Sequence, residues 1–327
     1  MKKSPTEVGR YLDFRTDFAF KKIFGTEGNK KLLIHFLNCL LDLKKETRIL
    51  DITYLNTEIQ SKKKEERKAI FDVYCETNQG ERFIVEMQKN SQKHFKDRSL
   101  FYSTFPIQEL SERTKEWDFQ LSKIYVIGVL NFTFNTKYPN KVITKVQMKD
   151  EYGEVFNEHL NFVYLEIPKF HKSINELETF MDKWLFLIKN LHRLEDRPVE
   201  VQNEIFDKLF STAEICNLND VDFMDYSRSL KDYRDWHNTL NHAIEKKTAK
   251  ILKEGLAKGK KMGLKKGLEK GMKEGIEKGI KKGIKKGRTE TQNEIVKKML
   301  KKGYNEDTIA ELTNLTLEEI SKIKISL

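Results

Sequence analysis

The chain has 327 residues, of which 34% are charged and 38% are hydrophobic. This length is enough for a substantial core and an additional segment. The three cysteines, Cys39, Cys75 and Cys216, show no CxxC spacing, so they indicate neither a disulfide framework nor a zinc site. The N-terminus lacks the apolar stretch of a secretory signal, and the longest apolar run, IYVIGVLNF, is too short to span a bilayer. We therefore expect a soluble, cytoplasmic protein without a membrane partner.

The formal net charge of +11 is unevenly distributed along the chain. Residues 250–288 contain fourteen lysines and one arginine against four glutamates, which accounts for the whole excess of positive charge. Such a segment suits a polyanion, either a nucleic acid or an anionic membrane surface. A solvated charge run that only improves solubility is the alternative.

The first half of the chain alternates predicted helices and strands. Residues 14–43 predict two helices that separate near Gly25 and Gly28, the second with an apolar stripe. Strand patterns follow at 49–56, 71–77, 81–88, 123–134 and 160–167. A helix is predicted within 97–116, where Pro106 should kink or end it.

Only helical patterns follow residue 173. We predict an α/β fold with a mixed-sheet core at 1–170, followed by a helical extension at 171–249. A repeat arm is predicted at 250–288 and a small helical module at 289–327.

The stretch FDVYCETNQGERFIVEMQ, residues 71–88, predicts a hairpin with the three-residue loop NQG and Gly80 at a left-handed position. In this register Glu76 lies opposite Arg82, and Asp72 lies opposite Glu86, both within the strands. Two carboxylates directly opposite each other should repel, and a divalent cation such as Mg²⁺ or Mn²⁺ would resolve the conflict. The alternative is a half-exposed sheet edge on which both carboxylates are simply solvated.

Several segments together resemble the PD-(D/E)XK nuclease-type transposases, also called recombination-promoting nucleases. They are TDFAFKKIFG at 16–25, FDVYCET, IVEMQ, RSLFYSTFPIQEL and IYVIGVLNFTF. The resemblance implies a restriction-endonuclease-like αβββαβ core and metal-dependent DNA cleavage. It further implies that Asp72, Glu86 and the carbonyl of Met87 bind Mg²⁺, with Mn²⁺ as a second choice, and that Asp17 assists.

Position 88 departs from the family motif, because Gln88 stands where the motif has a lysine. Glutamine can orient water or a phosphate oxygen, but it carries no positive charge. Lys68 and Arg98 are the candidates to supply that charge, and Tyr102 follows Arg98 by one helical turn. A surface arginine beside a packing tyrosine is the alternative for this pair.

Residues 255–287 carry a glycine at every fourth position. Nine glycines oppose helix formation by roughly 9 kcal/mol in total, so a helix here requires compensation. We predict a self-association arm whose outer lysines also contact DNA phosphates; these are Lys265, Lys266, Lys281, Lys282, Lys285 and Lys286. A flexible linker and an arm that orders on DNA remain alternatives.

The C-terminal module is predicted to contain a helix ended by Gly303 and two short helices. Asn305 should cap the first short helix, and Thr316 with Glu319 forms a capping box for the second. The arrangement resembles a helix-turn-helix DNA-binding unit. A small packing module is the favoured interpretation, because the second short helix begins with Leu317-Glu318-Glu319.

The first hypothesis is therefore a Mg²⁺-dependent DNA endonuclease in which Asp72, Glu86, Gln88 and Asp17 perform catalysis. The second is a catalytically inactive DNA-binding or oligomeric assembly protein that retains the nuclease fold. We expect the protein to be nucleoid-associated and homo-oligomeric in both cases.

Overall fold

The computed structural model describes residues 9–59, 69–91, 93–113, 118–134 and 136–326. Lys68 lies outside these residues, so its predicted role is not addressed by the structure. The chain divides into two compact units, one up to Thr239 and the other from Leu240 onward. Among the described residues, no helix has the length and apolar character needed to cross a membrane.

The first unit combines one main sheet with helices on both of its faces. Its helices are α1 (Asp17–Phe24), α2 (Lys30–Leu41), α3 (Phe95–Arg113), α4 (Phe180–Asn190), α5 (Glu204–Ala213) and the beginning of α6 (Asp220–Lys301). Its strands are β1 (Ile52–Tyr54), β2 (Glu58–Ile59), β3 (Ala69–Ile70), β4 (Val73–Thr77), β5 (Arg82–Gln88), β6 (Ile124–Leu130), β7 (Ile143–Lys149) and β8 (Val155–Glu166).

The main sheet has six strands in the order β1-β4-β5-β6-β8-β7. β5, β6 and β8 are mutually parallel, whereas β1, β4 and β7 pair antiparallel with their neighbours. The mixed sheet with flanking helices and a long C-terminal helix confirms the predicted α/β fold class.

The β4–β5 hairpin has the predicted register. Val73 pairs with Val85 and Glu76 pairs with Arg82. Gly80 adopts φ +80° in the loop, a conformation that glycine reaches without steric cost. One detail of the prediction was wrong: Asp72 lies immediately before β4 rather than within it.

Successive side chains of each strand point to opposite faces of the main sheet, so the first unit has two hydrophobic cores. Odd-numbered residues of β5, including Phe83, Val85 and Met87, pack in the larger core, which also contains α1 and α2. Ile84 instead packs against α3, in a second core that contains Tyr102 and Phe105. Glu86 and Gln88 share the face of Ile84, so the hairpin presents its polar side chains on the α3 side.

Two further features differ from the sequence prediction. β7, with the sequence ITKVQMK, was not predicted; it pairs antiparallel with β8, and its last five residues are exposed. Helix α3 continues through Pro106 to Arg113, so the proline does not end it. The carbonyl of Pro106 accepts a hydrogen bond from the buried guanidinium of Arg82 at 2.9 Å.

The second unit contains the remainder of α6 followed by α7 (Glu306–Thr313) and α8 (Leu317–Ile325). The predicted caps are confirmed: Asn305 accepts from the N–H of Thr308, and Thr316 with Glu319 forms a capping box. Val296, Ile309, Ile320 and Ile323 form its small core. The glycine repeat lies within α6 and is helical.

Candidate active site

The candidate site lies where β4 begins beside the end of β5. The backbone N–H of Asp72 donates to Oε1 of Glu86 at 3.1 Å, and the N–H of Met87 donates to Oδ2 of Asp72 at 2.8 Å. Each carboxylate is thus held by a backbone donor on the neighbouring segment. This exchange fixes the two acidic side chains close together, as the hairpin register predicts.

Gln88 and α3 complete the immediate surroundings of Glu86. The amide nitrogen of Gln88 donates to Oε2 of Glu86 at 3.0 Å, and both side chains are buried. The Nε of Arg98 donates to the Tyr102 hydroxyl at 2.8 Å. Arg98 also lowers the pKa of Glu86 by its charge, so the structure brings this predicted residue into the electrostatic field of the site.

Helix α1 contributes a carboxylate and a cation from the other side. Lys21 Nζ lies 3.1 Å from Oδ2 of Asp17 and 3.8 Å from Oδ1 of Asp72. Asp17 also raises the pKa of Asp72 through its charge and a side-chain hydrogen bond. The structure therefore brings Asp17 to the site, although its side chain is half exposed.

Sequence reasoning missed Lys21. The available signal was its position four residues after Asp17, which places both side chains on one face of α1. That spacing predicts the Lys21–Asp17 pair but not the approach to Asp72, since the approach depends on how α1 packs against the hairpin. Lys21 supplies positive charge at a site where position 88 has none.

Burial dominates the electrostatics of the two hairpin carboxylates. The side chain of Asp72 is 17% exposed and the residue Glu86 is 5% exposed. Loss of hydration raises the pKa of Asp72, and Asp17 raises it further. Loss of hydration also raises the pKa of Glu86, with Asp72 as the next contributor. The carboxylates of Asp17, Asp72 and Glu86 thus lie together, and both hairpin carboxylates hold a proton more readily than a solvated carboxylate does.

A glycine in the next strand leaves room for close packing beside Glu86. Gly128 is the residue of β6 in register with Glu86. A Cβ atom at this position would lie 3.1 Å from the ring of Tyr164 and 3.3 Å from that of Phe95. Gly128 therefore allows these aromatic rings to pack beside the buried carboxylate.

The donor chemistry fits a hard divalent cation such as Mg²⁺. Asp72 and Glu86 offer carboxylate oxygens, and the Met87 carbonyl is a third oxygen donor on the same strand. Within the described residues, no group of three or more Asp, Glu, His or Cys side chains is placed to hold a metal. Mg²⁺ commonly uses one or two carboxylates and completes its coordination with water, so two protein carboxylates satisfy this requirement.

An open cleft of about 710 Å³ adjoins the α1 side of the site. Asp17 and Lys21 line it together with Lys22, Lys89 and Arg228. Further carboxylates come from the first turns of α6, and Lys22 pairs with Asp222 at 2.6 Å. The cleft is thus of mixed charge rather than uniformly basic.

The six lysines predicted to contact DNA, from Lys265 to Lys286, lie on the exposed part of α6 in the second unit. They belong to a different compact unit from Asp72 and Glu86. Their proposed contact with phosphates stays a prediction.

The sequence profile of the PD-(D/E)XK nuclease family transposases matches residues 14–243. This range includes α1, the hairpin, α3 and the main sheet. No curated protein and no solved structure matches the chain. The profile match covers well over half of the sequence and contains every residue of the candidate site, and the chain therefore belongs to the PD-(D/E)XK nuclease family transposases.

Proposed function

We propose that the protein is a divalent-metal-dependent endonuclease that hydrolyses phosphodiester bonds in DNA. Membership in a nuclease family supports a nucleic acid substrate. The observation that carries the proposal is the reciprocal bonding of Asp72 and Glu86, two largely buried carboxylates whose pKa values are raised by burial. Such clustered charge is a costly arrangement unless a cation is bound to it.

Asp72 and Glu86 would hold the metal together with the Met87 carbonyl. When bound, Mg²⁺ acidifies a coordinated water and stabilises negative charge on a phosphate. The backbone donors from Asp72 and Met87 keep both carboxylates in fixed positions before substrate arrives. Gln88 holds Glu86 through its amide nitrogen, and this is a positioning role.

Lys21 is the cation that we assign to the role left open by Gln88. Its ammonium group lies close to Asp72 and Asp17, and its side chain is 43% exposed. It can therefore meet a phosphate oxygen that approaches from the adjoining cleft. A positive group in that position stabilises the charge that develops on the phosphate during cleavage.

A supercoiled-plasmid nicking assay with Mg²⁺ tests this function. We expect Asp72→Asn and Glu86→Gln each to abolish cleavage. Glu151→Gln, an amide substitution of an exposed turn carboxylate, should leave cleavage unchanged. Activity that survives both site substitutions would overturn the assignment.

The inactive assembly protein is the other outcome of the same assay. Plasmid binding by the wild type without cleavage at any Mg²⁺ or Mn²⁺ concentration would support it. The amide at position 88 is the feature that favours this alternative, because it supplies no charge to the reaction.

A further inference from the structure

An apolar row runs along the part of α6 that belongs to the second unit. Eight aliphatic side chains follow one another at spacings of four residues, with one interruption, and each is between 57% and 68% exposed. They are Leu252, Leu256, Leu264, Leu268, Met272, Ile276, Ile280 and Ile284. Long apolar rows of this kind mark interaction surfaces.

The nine glycines form a second row directly beside the first. Beyond the adjoining residues and backbone of its own helix, a Cβ atom built on any glycine of the repeat from Gly255 to Gly287 meets no atom of the described chain within 4 Å. No described part of the chain therefore packs against this row, although its glycines weaken the helix. We propose that residues 252–287 pair antiparallel with the same segment of a second copy of the chain, through the glycine and apolar rows.

The four-residue period sets the geometry of this pairing. Four residues turn an α-helix 40° beyond one full turn, so the row circles the helix once in nine repeats, or about 54 Å. A partner that follows the row winds around it in the right-handed sense. Right-handed helix pairs with small residues at the contact cross at roughly 40°. If the partner winds with a pitch of about 54 Å, this crossing angle places the two helix axes about 6 Å apart.

Ordinary helix pairs are about 8–10 Å apart, so a separation near 6 Å requires glycine along the contact line. The four-residue period and the presence of glycine at each repeat thus indicate the same short distance between the helix axes, by independent arguments. The partner must carry the same glycine period over a similar length, and this chain itself does. A two-fold pairing of identical segments satisfies that requirement.

The buried area is sufficient for a stable pair. An aliphatic side chain contributes about 60–120 Å² of apolar surface, so eight of them provide roughly 500–1,000 Å² on each copy. A specific protein interface buries about 800 Å² per partner. The pairing therefore reaches the size of a specific interface.

The orientation follows from which rows flank the glycines. The apolar row lies a quarter turn to one side of the glycine row. A mainly lysine row that includes Lys266, Lys270, Lys278, Lys282 and Lys286 lies a quarter turn to the other. Antiparallel pairing places the two apolar rows together, whereas parallel pairing places each apolar row beside lysines. The hydrophobic effect therefore favours the antiparallel pair.

Sedimentation of the full chain tests the association and does not depend on nuclease activity. We expect a dimer at micromolar concentration that tightens with added salt, because salt screens the adjacent lysine rows. The triple variant Gly267→Ala, Gly271→Ala, Gly275→Ala should keep or increase helix content by circular dichroism, yet weaken dimerisation at least tenfold.

A matched control changes the opposite side of the helix. Glu269→Ala, Lys273→Ala and Glu277→Ala together should leave dimerisation within threefold of the wild type. Ile276→Lys with Ile280→Lys should yield a monomer. A wild type that is monomeric at 100 µM, or an alanine triple that dimerises as well as the wild type, would overturn the proposal.

Spin labels test the orientation. Cysteines introduced by Lys265→Cys, Lys273→Cys and Lys281→Cys, one per variant, are labelled after Cys39→Ser and Cys216→Ser remove the accessible native thiols. In the antiparallel pair the midpoint lies near residue 270, and the two labels are offset along the helix axis by about 3 Å for each residue between the labelled site and that midpoint. The two labels at position 281 should therefore be much farther apart than those at position 265 or 273, which lie at similar distances on either side of the midpoint. One common distance at all three sites would show parallel pairing and overturn the antiparallel arrangement.

Discussion

The ammonium group of Lys21 lies 3.8 Å from Oδ1 of Asp72. This contact joins α1 to the start of β4 and brings a positive charge to the two hairpin carboxylates. It is a tertiary contact between residues 51 positions apart in the sequence. Gln88 supplies no charge, so the role proposed for Lys21 can be tested by substitution.

Replacing Lys21 with glutamine should lower the rate of Mg²⁺-dependent plasmid cleavage by about 100-fold, the usual effect of losing one group that stabilises developing charge. Lys21 lowers the pKa of Asp72, so its removal should shift the acidic limb of the pH–rate profile to higher pH. Lys21→Arg should restore part of the rate, and the exposed Lys31→Gln serves as the control. An unchanged rate in Lys21→Gln would contradict the assigned role.

Glu86 should reduce folding stability at neutral pH in metal-free buffer. Burial raises its pKa in the folded state, so the folded protein binds its proton more tightly than the unfolded chain does. The wild type therefore loses stability as the pH rises from the unfolded pKa through the folded one, by at most about 1.4 kcal/mol per pH unit. The Glu86→Gln variant has no carboxyl group at this position and therefore lacks this pH-dependent loss of stability.

Urea unfolding between pH 5 and pH 8 measures this effect in EDTA. The free energy of unfolding of Glu86→Gln minus that of the wild type should increase with pH. A difference that is constant over this range would show that Glu86 has an ordinary pKa. Glu151→Gln should follow the wild type.

Divalent cations should stabilise the wild type against heat. A ligand that binds only the folded state raises stability by about 2.7 kcal/mol when present at 100 times its dissociation constant. We expect Mg²⁺ or Mn²⁺ to raise the Tm of the wild type, while the Tm of Asp72→Asn and Glu86→Gln stays near its metal-free value. Differential scanning fluorimetry with and without EDTA measures these shifts, and equal shifts in all three proteins would place the metal elsewhere.

Arg82 should be a major contributor to stability. Its side chain is 1% exposed and contacts Glu76 at 3.2 Å and Glu109 at 2.8 Å. Removing one partner of a buried ion pair typically costs about 3–5 kcal/mol, because charge is left unpaired. Partial exposure of Glu109 reduces this cost, so we expect about 3 kcal/mol for Arg82→Leu by urea unfolding.

Arg228 provides the control for this substitution. Its side chain is 73% exposed and lies 3.7 Å from Asp225, and exposed pairs contribute at most about 1 kcal/mol. Arg228→Leu should therefore change the free energy of unfolding by less than that amount. A similar loss in both variants would contradict the special role of burial at Arg82.

The lysines of the arm should set the salt dependence of DNA binding. Each phosphate contact contributes about 0.9 to the slope of log affinity against log salt concentration. Converting Lys265, Lys266, Lys281, Lys282, Lys285 and Lys286 to glutamine should reduce that slope and weaken binding of duplexes of any sequence. Fluorescence anisotropy at several salt concentrations measures the slope, with Lys145→Gln plus Lys149→Gln as the control. An unchanged slope would favour the solvated charge run.

Local sequence patterns predicted the β4–β5 hairpin and the N-terminal ends of α7 and α8. The NQG loop and the alternation of apolar residues fix the register in which Val73 meets Val85, because a shift by one residue would turn every side chain to the other face. Asn305 and Thr316 cap their helices through hydrogen bonds that span only three residues. Strand β7 was missed because its exposed residues are stabilised by pairing with β8 rather than by a buried apolar face.

The buried position of Arg82 and the path of α3 required the tertiary structure. Pairing with Glu76 follows from the register, whereas the contacts with Glu109 and the Pro106 carbonyl require α3 to lie across the sheet. The sequence by itself determined the hairpin register, the caps of the C-terminal helices and the juxtaposition of Asp72 with Glu86, because these depend on hydrogen bonds and side-chain periods within short segments. Only the tertiary structure decided that Lys21 lies beside Asp72, because that approach depends on how apolar faces far apart in the chain pack together.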